Sequence, residues 1–151
     1  METDEPRRSY LATILGCYCP RCRTGHLFKN SLSLGICKNM AMHDRCLVCA
    51  QRTEIEVGFY YGTGYVSYLL ALAFTGITFI LWWLLIGFSF QDRRFAWWLG
   101  LNAGALLILQ AWLMRFSRAL WLSWFVSYDP LWSLRPPNDP ERIVGEQMNN
   151  W

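Results

Sequence analysis

Residues 65–90 read YVSYLLALAFTGITFILWWLLIGFSF, and no charged side chain follows Tyr65 until Asp92. A second run, FAWWLGLNAGALLILQAWLM over Phe95 to Met114, is uncharged until Arg115. Each reaches the roughly 18 to 20 apolar residues that carry a helix through a bilayer, and neither keeps the charged face of a helix lying on a soluble core. Composition agrees. The chain of 151 residues is 54% hydrophobic and 17% aromatic, with nine Trp and only 17% charged residues, against roughly 25% charged in an ordinary globular protein. The length allows one small domain. The reading is a membrane protein with two transmembrane helices, at about 65–88 and 95–114.

The linker Gln91-Asp92-Arg93-Arg94 is short, so the two helices form an antiparallel hairpin whose outer ends share one side of the membrane. Of the 14 Lys and Arg residues, eight precede Tyr65 (Arg7, Arg8, Arg21, Arg23, Lys29, Lys38, Arg45, Arg52), four follow Met114 (Arg115, Arg118, Arg135, Arg142) and two lie in the linker. Positive residues stay inside, which predicts a two-pass protein with both termini cytoplasmic. Trp82, Trp83, Trp97, Trp98 and Trp112, with Tyr60, Tyr61, Tyr65 and Tyr68, fall near the proposed helix ends and read as an aromatic belt.

Ahead of the hairpin, CYCPRCRTGHLF (Cys17 to Phe28) and CLVC (Cys46 to Cys49) hold five of the six cysteines. Arg7-Arg8, a short apolar stretch and Cys17 faintly resemble a lipoprotein signal. That stretch is too short, however, and Glu2, Asp4 and Glu5 precede it where positive charge is required. Tyr10 to Gly16 reads instead as a short helix or turn. In a reducing cytoplasm thiols bind metal or do redox work rather than form structural disulfides. Cys19-Pro-Arg-Cys22 and Cys46-Leu-Val-Cys49, 23 residues apart, have the spacing of a four-cysteine zinc site, in which two tight knuckles complete one tetrahedron. A segment this short lacks a core large enough to fold by burial alone, a deficit that a structural Zn2+ offsets. Cys17 reads as a bystander; Cys37, His26 and His43 read as loop residues, because four sulfurs already close the shell. Arg23 and Ala50 follow the knuckles where glycine is common, so each turn either avoids positive φ or carries a penalty of roughly 1 kcal/mol.

These motifs, with Gly25 and Leu27-Phe28, then Gly58-Phe59-Tyr60-Tyr61-Gly62, Arg115-Phe-Ser-Arg118-Ala-Leu-Trp121 and Tyr128-Asp129-Pro130, resemble the bacterial family called domain of unknown function 983. The resemblance spans about Cys19 to Pro130 and lies in the order of the motifs more than in any one of them. It implies a small two-helix inner-membrane protein with a cytoplasmic zinc-ribbon-like head. Members are often encoded beside cytochrome c oxidase and its assembly factors, which implies a respiratory role.

Along the second helix Ala96, Gly100, Ala103, Gly104 and Ala111 form a small-residue stripe, matched on the first by Ser67, Ala71 and Thr75. The two stripes are expected to form the seam of the hairpin, with Asn102 turned away from it toward a foreign helix. After Met114 the segment to Val126 is too charged to cross again. It is expected to be a helix that continues into the interface, with Arg115 and Arg118 snorkelling to anionic lipid. The chain therefore divides into an N-terminal segment (1–16), a zinc-ribbon-like head (17–57), a transmembrane hairpin (58–114), and an interfacial helix with an irregular tail (115–151). Asn102, Arg115, Arg118 and Trp121 are the residues expected to meet a partner or lipid.

For function, no hydrolase constellation is visible, and the net charge of +3 without a long basic run does not suggest nucleic acid as a partner. The reading is a non-catalytic accessory subunit or assembly factor of a larger membrane complex such as a respiratory oxidase. The alternative is a membrane-bound metal-handling or thiol-redox protein in which Cys17 and Cys37 join the pairs.

Overall fold

A computed structural model of the chain describes residues 8–32, 36–87 and 93–137. The N-terminal end of the chain, most of the inter-helix linker including Gln91 and Asp92, the side chain of Cys37 and the tail from 138 onward lie outside the described residues. Among the described residues there are four α-helices: α1 (Tyr10–Leu15), α2 (Ile36–Met40), α3 (Thr63–Ile86) and α4 (Arg94–Phe125), with a 3-10 turn at Phe59–Gly62 leading into α3. Ser9 caps α1 by accepting from the Ala12 amide, as a serine at that position does. This short helix lies against α4, where the Tyr10 and Ser123 hydroxyls are 3.0 Å apart.

Helices α3 and α4 pack as a hairpin, and both are long and apolar enough to cross a membrane. α3 has 24 residues and α4 has 32, or about 36 and 48 Å at 1.5 Å per residue. Past Met114 the chain stays helical, and α4 runs unbroken to Phe125. A bilayer core takes up only about 30 Å. The remainder of α4 forms a post against which the head folds, and the head core joins Ile14, Cys17, Leu27 and Phe28 to Ala119, Leu122 and Val126 of that post.

The seam also differs from the expected one. A Cβ on Gly100 or Gly104 would meet nothing within 4 Å, and Ala96, Gly100 and Ala103 are exposed. The small stripe of α4 therefore faces outward. Trp98, Asn102 and Leu113 are the buried residues of α4 along the hairpin, and Trp98 meets Phe79 edge-on at 5.2 Å, which removes it from the aromatic belt. Asn102, expected to face a foreign helix, is 7% exposed. Its Oδ1 accepts from the Thr78 hydroxyl at 3.0 Å and its Nδ2 donates to Thr75 Oγ1 at 3.3 Å. Polar demand decided the rotation of α4: an amide among apolar side chains takes the nearest hydroxyls, and α3 supplies two.

Candidate metal centre

Each C-x-x-C pair sits on a tight turn, and the two turns are built alike. In the first, the Arg23 amide donates to Cys19 O (2.8 Å), and in the second the Ala50 amide donates to Cys46 O (2.9 Å). Closing the turn places Arg23 at φ 61° and Ala50 at φ 56°, so both knuckles carry the left-handed residue that glycine occupies at no steric cost. Behind the knuckles, isolated antiparallel bridges join Tyr18 to His26 and Arg45 to Arg52. These bridges hold the chain on either side of each turn.

The turns bring Cys19, Cys22, Cys46 and Cys49 together, with all four sulfurs within 4.8 Å of one another and all four residues buried. Sγ of Cys19 lies 3.7 Å from Sγ of Cys49, and Sγ of Cys22 lies 3.7 Å from Sγ of Cys46. A tetrahedron with metal–sulfur bonds of about 2.3 Å has edges of about 3.8 Å. The donor set therefore fits a tetrahedral thiophilic ion, and the four cysteines can hold a metal. Packed this closely, the thiols share protons. Hydrogen bonding to Cys22, Cys46 and Cys49 raises the pKa of Cys19, while hydrogen bonding to Cys19 lowers that of Cys22, and it also lowers Cys46, to about 6.

Gly25 completes the approach of the two knuckles. A Cβ there would stand 2.4 Å from Cys46 Sγ, so any side chain at this position displaces a ligand. Its own amide points at Cys22 Sγ at 3.5 Å. Cys17 is buried but stands outside the sulfur cluster, and burial pushes its thiol up to about 11. Neither histidine belongs to the cluster: His26 lies against the Tyr18 ring at 4.5 Å, and the backbone of His43 pairs with Leu27.

Around the cluster the structure joins residues far apart in sequence. The Arg21 side chain, 5% exposed, donates to the carbonyls of Cys49 (3.3 Å), Arg135 (2.8 Å) and Pro136 (3.1 Å), and pairs with Asp129 at 3.4 Å. The Asp129 amide returns a bond to Arg21 O (3.2 Å), and the Arg23 guanidinium lies 4.1 Å over the Tyr128 ring. The middle of the first knuckle thus clasps the segment after α4. Sequence reasoning counted Arg21 as one basic residue among several. The available signal was its place between two ligands of a small head, where a guanidinium is half buried by necessity and needs oxygen partners.

Arg115, Arg118 and Trp121 also turn inward rather than toward lipid. Arg115, 7% exposed, donates from Nε to Asn39 O and from one terminal nitrogen to Asn30 O and Ser31 O, all at 2.9 Å, and its guanidinium lies 4.7 Å over the Phe28 ring. Arg118 donates to Met40 O at 3.2 Å and covers the Tyr60 ring. Trp121 lies against Phe59 and Phe125 and so close to Gly62 that a Cβ there would be 2.5 Å from its ring. The snorkelling expectation failed because the head supplies carbonyls that the sequence does not reveal as neighbours. No family model, curated protein or solved structure matches this chain.

Proposed function

We propose that the chain is a two-pass membrane protein whose cytoplasmic head is built around one structural Zn2+, and that it serves a larger membrane complex as a non-catalytic accessory or assembly element. The observation that carries this reading is the closed sulfur shell: four cysteines, 1–6% exposed, supply all four positions of a tetrahedral ion. Catalytic zinc sites keep one position open for water or substrate. Held in this shell, zinc would supply cross-linking and a template for folding.

The outward face of the hairpin supports the rest. Tyr65, Leu85, Leu107 and Ile108 are 76–82% exposed, as suits side chains that face lipid or another subunit. The cytoplasmic placement of both termini rests on the distribution of Lys and Arg, and the bacterial inner-membrane and respiratory setting rests on the resemblance carried by the order of the motifs. The metal-handling or redox alternative needs accessible, ionisable thiols, and the burial of Cys17 weighs against it. Purification from mild detergent through a C-terminal tag, with mass spectrometry, metal analysis and haem spectra of the product, tests the proposal. Stoichiometric zinc and a reproducible membrane complex are expected. A zinc-free protein, or a lone monomer alongside intact oxidase assembly in a deletion strain, would refute it.

A further inference from the structure

Where the head meets the hairpin there is a cavity of about 330 Å³, walled by Met40 of α2, by Gly64, Ser67 and Ala71 at the start of α3, and by Gln110 and Met114 of α4. Two other hydroxyls on its wall are already satisfied: Thr63 donates to Tyr60 O and Ser117 to Met114 O. Among the described residues, the Ser67 and Tyr68 hydroxyls and the Gln110 amide make no hydrogen bond within the protein. No carboxylate lines the cavity. Free neutral donors on a wall that carries no charged side chain ask for a ligand with neutral acceptors and an apolar continuation.

Depth narrows the choice, taking the membrane reading above as its basis. α3 is about 36 Å long and a bilayer core about 30 Å, so roughly one turn of α3 stands outside the core. Ser67 lies at the end of that first turn. This is the level of the ester carbonyls of a phospholipid, at the boundary between hydrocarbon and headgroup. The volume has room for roughly ten water-sized groups, too few for a whole lipid and enough for a glycerol backbone with its two esters. The geometry points to a site for the glycerol-ester region of one phospholipid molecule, with Ser67 and Gln110 donating to its carbonyls and its acyl chains leaving along the hairpin.

The full chain, extracted in mild detergent, is examined by native mass spectrometry and by phosphate analysis of extracted lipid. About one phospholipid per chain is expected. Gly64→Leu fills the cavity from its wall without removing a donor, since a Cβ there meets nothing within 4 Å, and Gln110→Leu removes one donor. Each should lower retention at least tenfold while zinc content and resistance of the membrane-bound protein to alkaline carbonate stay unchanged. Leu107→Ala, off the cavity wall, should retain the lipid. Retention unaffected by both cavity variants, or a prenyl quinone recovered in place of phospholipid, overturns the assignment while leaving the membrane reading intact. Release of the wild-type chain by carbonate overturns both.

Discussion

Replacing Arg115 tests how the head is fixed to the hairpin. A snorkelling arginine and one that ties chain segments together differ in what lysine can do for them. Snorkelling needs a long stem and a positive charge, so Arg115→Lys would be silent. In the structure the guanidinium serves three carbonyls, those of Asn30, Ser31 and Asn39, and an ammonium cannot reproduce that fork. A hydrogen bond to a charged group contributes about 1.5–3 kcal/mol. Asn30 and Ser31 are exposed, so water can replace the guanidinium there, whereas Asn39 is 1% exposed. Arg115→Met should therefore loosen the 29–42 segment by about 2–4 kcal/mol, with Arg115→Lys recovering half or less. Lys29 and Lys38 are exposed and lie within the tied segment, so trypsin reports its opening. When reclosing outpaces cleavage, 2 kcal/mol corresponds to roughly 30-fold faster cutting. Cutting of Arg115→Met within about threefold of wild type, or lysine behaving as arginine does, would refute the tie.

Elemental analysis should find one zinc per chain, lost in Cys19→Ser, Cys22→Ser, Cys46→Ser and Cys49→Ser and retained in Cys17→Ser. Gly25→Ala, whose methyl would stand 2.4 Å from Cys46 Sγ, should weaken metal affinity at least tenfold in a chelator competition while all four ligands remain. With its thiol pushed up to about 11, Cys17 should be only about one thousandth ionised at pH 8, and peptide mapping should show it alkylated slowly until the protein is unfolded. Asn102→Leu removes one interhelical amide, and the Thr78 hydroxyl can turn its proton to Thr75 O. The loss should therefore be about 0.6 kcal/mol and below about 1.7 in a denaturation series, and a larger value would mean that the amide has a further partner.

The features most legible in the sequence were those that depend on local spacing. The C-x-x-C pairs specify their own turns, and Arg23 and Ala50 in the left-handed region show that the sulfur geometry outweighed a backbone penalty visible in the residue types alone. Two uncharged runs of spanning length likewise announce themselves. The rotation of α4 was not legible, because the small-residue stripe and Asn102 made opposite claims on the seam, and only the hydroxyls of Thr75 and Thr78 on the facing helix decide between them. The anchoring of the segment past Met114 was hidden for a related reason: Arg115 and Arg118 read as charges bound for lipid. Their partners are main-chain carbonyls of residues 30, 31, 39 and 40, which carry no signature in sequence.

A physical route leads from the four-cysteine cluster to the hairpin. Cys49 belongs to the cluster and its carbonyl accepts from Arg21; Arg21 also holds Asp129 and the carbonyls of Arg135 and Pro136. Cys19 and Cys22 lie in the same buried cluster as Leu122 and Val126 of α4. Among the described residues, the head and the segment before it have three isolated bridges and two helices of five or six residues, too little regular structure to persist unless the cysteines hold an ion. When the metal leaves, the second knuckle has no reason to stay beside the first, and Arg21 loses the oxygen that orients it. The clasp on residues 129–136 should then open, exposing the last turns of α4. Metal chelation is therefore expected to raise proteolysis at Arg135, on the far side of the clasp from the sulfurs, together with proteolysis in the head. Cleavage confined to the knuckles, with Arg135 as protected as before, would mean that α4 and its C-terminal segment hold together without the metal and that the route ends at Arg21.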